Sequence, residues 1–387
     1  MKKVLLSVLI GLFTLTVFAQ DPPANSNVDN RVITTGVPFL FIAADARAAG
    51  MADMGVATSA DAFSQQWNPA KYAFAISKQG VGVSYTPYLS KLVNDIFLGN
   101  LTYYNRINEQ SAVAGSLRYF SLGEVQLREI LEQEPLLQKP NEFTLDLTYS
   151  LRLSERMAMA VTGRYLRSDL KIQASNEDAS AASSFAVDVS GYYQSEEIAY
   201  NDFDGRWRAG FNVSNIGPKF KYDEIGQENN LPTNLALGAG FDFILDEYNR
   251  VGVTAEMDKL LVPTPSDSDG DGFITRQDDF YNKSFFSGMF SSFGDAPDGF
   301  GEELKEVTWA LGAEYWYQDA FAFRLGYFNE SEEKGFRKFA SLGAGFKYTT
   351  INIDISYLFS TSKVVSPLEG TLRFGLTFNF GDEYDEY

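Results

Sequence analysis

The strongest constraint on this chain is a set of stretches about ten residues long in which apolar and polar side chains strictly alternate. From Ile351 to Phe359, the residues Ile351, Ile353, Ile355, Tyr357 and Phe359 fall on one side and Asn352, Asp354 and Ser356 on the other. Leu372, Phe374, Leu376, Phe378 and Phe380 repeat this against Arg373, Gly375, Thr377 and Asn379. Phe143, Leu145, Leu147, Tyr149 and Leu151 do the same against Thr144, Asp146, Thr148, Ser150 and Arg152. A period of two means an extended strand with one apolar and one polar face. Such segments lie near residues 80–88, 96–105, 111–121, 142–153, 156–167, 182–194, 205–215, 233–244, 250–260, 306–317, 320–329, 339–348, 351–360 and 370–380. That makes fourteen, an even number, as a single-chain outer-membrane barrel requires.

The gaps between these segments mostly alternate short and long. Arg106 to Gln110, Ser154-Glu155, Leu245 to Asn249, Asp319 and Thr349-Thr350 read as turns. Leu122 to Asn141, Ser168 to Ala181, Ile216 to Thr233, Leu261 to Lys305 and Thr361 to Glu369 read as loops, and Gln194 to Asp204 is the one long member of the short class. Outer-membrane barrels keep short turns on the periplasmic side and long loops outside, so the rhythm sets the topology. A soluble β-sandwich has no reason to collect its long loops at one end. With 32 Phe, 21 Tyr and 32 Gly but no later run of 18 apolar residues, the chain dilutes its apolar content at short period, as barrels do.

Met1 to Ala19 has Lys2 and Lys3, an apolar run from Val4 to Phe18 and a small residue before Gln20, the three-part layout of a secretory signal peptide. Residues 20–30 are polar and Pro-containing, which predicts a flexible leader. There is no Cys, so neither a lipid anchor on an N-terminal Cys nor a disulfide is available.

Residues 31–79 are expected to form a hatch inside the barrel of residues 80–380. The stretch from Ala43 to Phe74 is rich in small residues, lacks clean alternation, and carries Asp45, Arg47, Asp61 and the turn Asn68-Pro69-Ala70. Small side chains fit a backbone into a confined space, and Asp and Asn side chains can replace ladder bonds by bonding local backbone. The simpler alternative is a small helix and loop packed at a domain edge. On the inward faces, Arg152, Arg164, Arg208, Arg324, Lys347 and Arg373 balance Asp146, Asp188, Asp242, Glu256, Glu314 and Asp354, which predicts paired charges around a plug instead of a one-sign ion filter. Gly238, Gly240, Gly312, Gly326, Gly343 and Gly345 also point inward, as where another backbone approaches the wall.

A net charge of −19 opposes nucleic-acid binding, which needs basic patches to displace counterions from phosphates. With no His and no Cys, Ser-His-Asp and Cys-His nucleophilic sites and His-based zinc sites are excluded, no Gly-rich phosphate loop is present, and the chain is not expected to be an enzyme. One metal motif stands out in the long loop of residues 262–305. Asp267, Asp269, Asp271, Phe273, Thr275 and Asp278 occupy the ligand positions of a twelve-residue calcium loop, with Gly272 at the sharp turn and Ile274 as anchor. Asp278 stands where the pattern takes Glu, and flanking helices are not evident. The expectation is weak, extracellular-type Ca2+ binding that ties the loop together; the alternative is a solvated acidic loop.

The final strand, Arg373 to Phe380, resembles the C-terminal signal read by the barrel-assembly machinery, followed by an acidic tail at residues 381–387. Val37-Pro38-Phe39-Leu40, Ala43 to Met51, Gly55 to Asp61 and Gln66 to Tyr72 resemble the start of the PorV family of the Bacteroidetes type IX secretion system. Ser84 to Leu89, Ala181 to Asp188, Tyr193 to Tyr200, Gly205 to Phe211 and Lys259 to Pro265 extend the likeness along the mature chain. The wider group is the FadL-like family of fourteen-stranded outer-membrane barrels with an N-terminal hatch, in which a turn like Asn68-Pro69-Ala70 is typical. The resemblance implies a non-enzymatic export component of the outer membrane that binds the C-terminal signal domains of secreted cargo. It implies association with the SprA/Sov translocon barrel and delivery to an attachment complex containing PorU. Its alternative is a FadL-like transporter of hydrophobic small molecules.

Overall fold

The computed structural model describes residues 31–127, 136–170, 181–222, 228–270, 274, 278–362 and 366–384; the expected signal peptide and leader lie outside them. Fourteen strands form the wall: β1 Ser77–Pro87, β2 Ile96–Arg106, β3 Ser111–Leu122, β4 Asn141–Ser154, β5 Met157–Asp169, β6 Ala182–Gln194 and β7 Asp204–Ile216, then β8 Asn234–Ile244, β9 Asn249–Leu260, β10 Val307–Tyr317, β11 Phe321–Asn329, β12 Lys338–Tyr348, β13 Ile351–Ser360 and β14 Leu372–Glu383. Each pairs antiparallel with its neighbours, and β14 pairs with β1, so the sheet closes and leaves no edge. This is the antiparallel transmembrane β-barrel that the alternation predicted.

The faces of the strands sort by chemistry. Leu145, Leu147, Tyr149, Ile353, Ile355, Phe374 and Phe378 are exposed on the outside, while Thr144, Asp146, Ser150, Ser356 and Arg373 are buried inside. An exposed apolar belt this extensive is unstable against water and stable against hydrocarbon. Rings edge the belt at both ends. Tyr85, Phe97 and Tyr119 contact one another in sequence near the long loops, and Trp207, Phe241 and Phe243 do so near the short turns. Aromatic girdles of this kind sit at the two membrane interfaces.

The ends of the wall differ from the expected boundaries. β1 starts at Ser77, and β14 continues into the acidic tail as far as Glu383, opposite Ser77, across a register shift between Ser77 and Gln79. Gly381 sits there at φ 90°, as a bulge residue does. Ladder bonds use only backbone groups, so the sheet runs on where side-chain alternation has stopped.

Inside the wall the hatch descends from the long-loop end to the turn end in short pieces: a 3-10 turn at Pro38–Phe41, a helical turn at Ala46–Ala49, another at Ser64–Trp67, and a 3-10 segment at Pro69–Phe74. Its apolar residues complete clusters with the wall: Phe39 and Leu40 join Leu98, Phe120 and Leu166, and Met51 and Met54 join Ala310, Phe339 and Leu358. The domain-edge alternative for this stretch does not hold, because Ala43, Ala44, Ala46, Ala52, Ala57 and Ala70 are all fully buried.

Candidate functional site

The hatch is locked to the wall by a charge chain of alternating sign. Asp45 caps the turn Ala46–Ala49 by accepting from the Ala48 N–H at 2.8 Å, and its other oxygen accepts from Trp67 Nε1 at 2.7 Å. This aims Arg47, two residues on from the cap, at the wall. The Arg47 guanidinium donates to both oxygens of Glu314 at 3.0 and 2.8 Å, and to Asp61 at 2.7 Å within the hatch. Glu314 also accepts from Arg324 at 2.7 Å, which in turn donates to Asp354 at 2.6 Å. The resulting order is Asp61, Arg47, Glu314, Arg324, Asp354. Bidentate Arg–carboxylate geometry is the form in which a buried pair best offsets its desolvation.

The turn Asn68-Pro69-Ala70 makes a second anchor. Asn68 Oδ1 accepts from the Ala70 N–H at 3.1 Å, and its Nδ2 donates to Val56 O and to Gly191 O, each at 2.9 Å. Ala70 O accepts from Ser150 Oγ at 3.2 Å, and Pro69 occupies the first helical turn, where a missing N–H costs nothing. At a third anchor, Glu256 Oε2 accepts the N–H groups of Gly55 and Val56 at 3.0 and 2.9 Å. Lys71, fully buried, donates to Gly55 O at 2.7 Å. Arg373 holds Asp53 at 2.7 Å.

The inward glycines are contact points. A Cβ on Gly326 would lie 2.4 Å from Ala52 N, and one on Gly50 would lie 2.9 Å from the Gly343 Cα, so backbone meets backbone there. Gly238 faces the Ala57 Cβ and backbone N, and Gly312 faces the end of the Met54 side chain. Of the expected inward charges, Glu314, Arg324 and Asp354 enter the chain, Arg164 pairs separately with Asp146 and Asp188 and Arg208 with Asp242, while Arg152 stacks over Phe74 at 4.7 Å near the turns and Lys347 is half-buried. The bonds of Trp67, Lys71 and Glu256 to the hatch were not legible in the sequence, because each depends on which part of the hatch stands opposite.

A cavity of about 560 Å³ remains between hatch and wall. Ile33, Phe41, Phe328 and Phe339 give it an apolar side, and Asn212, Glu256 and Asp258 a polar one.

The long loop carries the carboxylate motif. Oxygens of Asp267, Asp269 and Asp278 lie within 4.8 Å of one another. The Ser268 N–H and Oγ donate to Asp278 at 2.6 and 3.0 Å, and the Gly270 N–H donates to Asp267 at 2.7 Å, so the turn is formed. Asp271, Phe273 and Thr275 lie outside the described residues. A helical turn at Asp279–Asn282 follows Asp278 directly, where no flanking helix was evident from sequence, and Ile274 is exposed instead of anchored. The three converging carboxylates fit a hard cation taking oxygen ligands.

Two further helices shape this loop, at Phe285–Ser291 and Phe300–Lys305. Glu302, Glu303 and Glu306 bind Lys334 and Lys259 at 2.7 to 3.0 Å, and Arg31 reaches Glu302 at 2.9 Å, so this side of the loop is fastened to the rim. On the other side, Phe286, Phe290, Phe293, Phe300 and Leu304 are 53 to 76% exposed.

A family profile described as "Type IX secretion system protein PorV" matches residues 25–267. No curated protein matches the chain. Among solved structures, a TodX monoaromatic hydrocarbon channel (deltaS2 mutant) aligns with a TM-score of 0.50 at 11% identity, over 88% of this chain and 100% of that one. The CymD monoaromatic hydrocarbon channel aligns at 0.47 and 12% identity over 90% and 99%. A Pseudomonas aeruginosa FadL homologue aligns at 0.44 and 11% identity, also over 90% and 99%.

Proposed function

Because this chain belongs to the PorV family, and so is an outer-membrane component of the type IX secretion system, we propose that it works as a docking platform for exported proteins and not as their conduit. The cargo's C-terminal signal domain and the SprA/Sov translocon barrel are the partners this reading assigns, followed by hand-over to PorU and the attachment complex. The observation that carries it is the contrast across the long loop. Its inner side is fastened by ion pairs, while five large apolar side chains on its outer side are more than half exposed. Apolar patches rimmed by charge mark protein interfaces. The hatch, stapled to the wall by buried pairs, leaves the lumen ill-suited to passing a folded protein. Three carboxylates in the same loop would hold Ca2+ and stiffen the platform.

Deleting the gene and complementing it with Phe290→Ser/Phe300→Ser tests this reading. Cargo bearing C-terminal signal domains should accumulate in the periplasm although the variant barrel reaches the membrane; normal export by the variant overturns the docking role of this loop. A second reading, uptake of hydrophobic small molecules, is favoured by the partly apolar cavity between hatch and wall. It requires intact secretion and lost uptake of fatty acids or aromatics on deletion.

A further inference from the structure

The cavity between hatch and wall is not simply apolar. β7, β8 and β9 pair so that Asn212 lies opposite Ala236 and Ala236 opposite Asp258; one step toward the turns, Gly238 lies opposite Glu256. Two polar side chains therefore flank a notch made by small residues. The strands at its sides stand about 10 Å apart, two strand spacings, and polar side chains line the cavity from both of them. All of Asn212, Ala236, Glu256 and Asp258 line the cavity.

The acceptors in this notch are underused. Asn212 is 4% exposed and its Oδ1 has no hydrogen-bond partner among the described residues. An amide that nothing fixes can turn its oxygen toward a donor. Asp258 accepts from Asn234 Nδ2 at 2.9 Å through Oδ1, while both hatch N–H bonds to Glu256 fall on Oε2. Neither carboxylate has an ion pair among the described residues. Of the cations lining the cavity, Arg164 is engaged with Asp146 and Asp188, Arg337 with Glu330, and Lys334 with Glu302 and Glu306, while Arg118 lies 3.8 Å from Asp146 with its Nε unpartnered among the described residues. A buried polar group without a partner costs free energy, which a ligand supplying the missing donors recovers.

We propose that this cavity binds an amphipathic ammonium, its nitrogen donating to Asp258, Glu256 and the Asn212 amide and its apolar stem lying against Ile33, Phe41 and Phe328. A primary ammonium has three donors and no acceptor, which suits three acceptors in one notch. The same chemistry comes from a free alkylamine or from a lysine side chain on a protein segment. The proposal is independent of the export reading, because it concerns binding to the isolated protein.

The test uses the full mature protein in a nonionic detergent, titrated calorimetrically with octylamine, octanol and octanoate. Octylamine should bind saturably and more tightly than either control. Asp258→Asn should weaken octylamine by about tenfold or more, the scale of one charge-assisted hydrogen bond, and leave octanol unchanged. Ala236→Val, which narrows the notch without touching a charge, should also weaken octylamine and keeps the test open if Asp258→Asn does not fold. Equal binding of octylamine and octanol, tighter binding of octanoate, or wild-type octylamine affinity in a folded variant overturns the proposal. Competition by acetyl-Leu-Lys-Leu-amide would point to a protein segment as the source. Octylamine binding that this peptide does not disturb would point to a free amine, and either result supports the ammonium site.

Discussion

The hatch–wall junction and the long loop are both rich in charge, yet they use it in opposite ways. At the junction Glu314 is buried and answered from two sides, by Arg47 and Arg324. In the loop, Glu302 and Glu306 are fastened by Lys334, Arg31 and Lys259 on the inner side, and the outer side shows Phe290 and Phe300 to the outside. The junction is built to stay shut, and the loop is built with a face left over. Paired charges in a closed space fix one geometry, whereas a half-satisfied surface retains free energy for a partner.

Breaking the junction should have the largest effects. Gly326→Val places side-chain carbons where Ala52 backbone already lies and should cost about 3 kcal/mol or more, read as loss of the heat-modifiable folded band on gels. If that variant assembles normally, the hatch is not held as described. Arg47→Met leaves Glu314 and Asp61 short of a cation inside the barrel and should cost about 3–5 kcal/mol, measured by thermal denaturation in detergent. Adding Glu314→Gln should recover part of this loss, since the two act through one network. Asp45→Ala removes the cap on Ala48 and the acceptor for Trp67, and about 1–2 kcal/mol is expected, with a change in tryptophan fluorescence.

Smaller effects are expected in the loop. Partial burial pushes the Glu302 carboxyl up, but the Lys334 hydrogen bond, the Asp298 N–H and the charges of Lys334 and Arg31 outweigh this and hold it below the usual 4.5. A carboxyl depressed in the folded state stabilises above its unfolded value and loses that contribution as pH falls through the folded one. The loop should therefore become protease-sensitive below pH 4.5 before the barrel unfolds. Unchanged cleavage under acid would mean that the Lys334 pair does not fasten it. Phe290→Ser/Phe300→Ser should change stability by less than about 0.5 kcal/mol, as for surface positions, while impairing export; a large loss of stability instead would show that these rings pack within the chain.

The wall was legible because its determinant is local. In β13 and β14 the solvent of each face is written in every second residue, so Ile353 and Phe374 on the lipid side and Asp354 and Arg373 on the lumen side follow from position alone. The hatch was legible in part. Small residues and the Asn68-Pro69-Ala70 turn indicated a confined segment, and the structure places Asp45, Arg47 and Asn68 at its anchors. Their partners were not legible: Arg47 and Glu314 are 267 residues apart, and no local pattern ties them. Asp267, Asp269 and Asp278 converge in the structure, whereas Ile274 is exposed where the calcium-type spacing expects an anchor.

Sequence by itself determined that this chain closes into a fourteen-stranded tube with a hatch, since alternation and turn length act over a few residues. Tertiary structure alone decided which charges meet, that Gly326 must accept the Ala52 backbone, and that Asn212, Glu256 and Asp258 share one notch. Those choices depend on the depth and rotation of the hatch within the wall, which many small contacts fix together and no single stretch of sequence encodes.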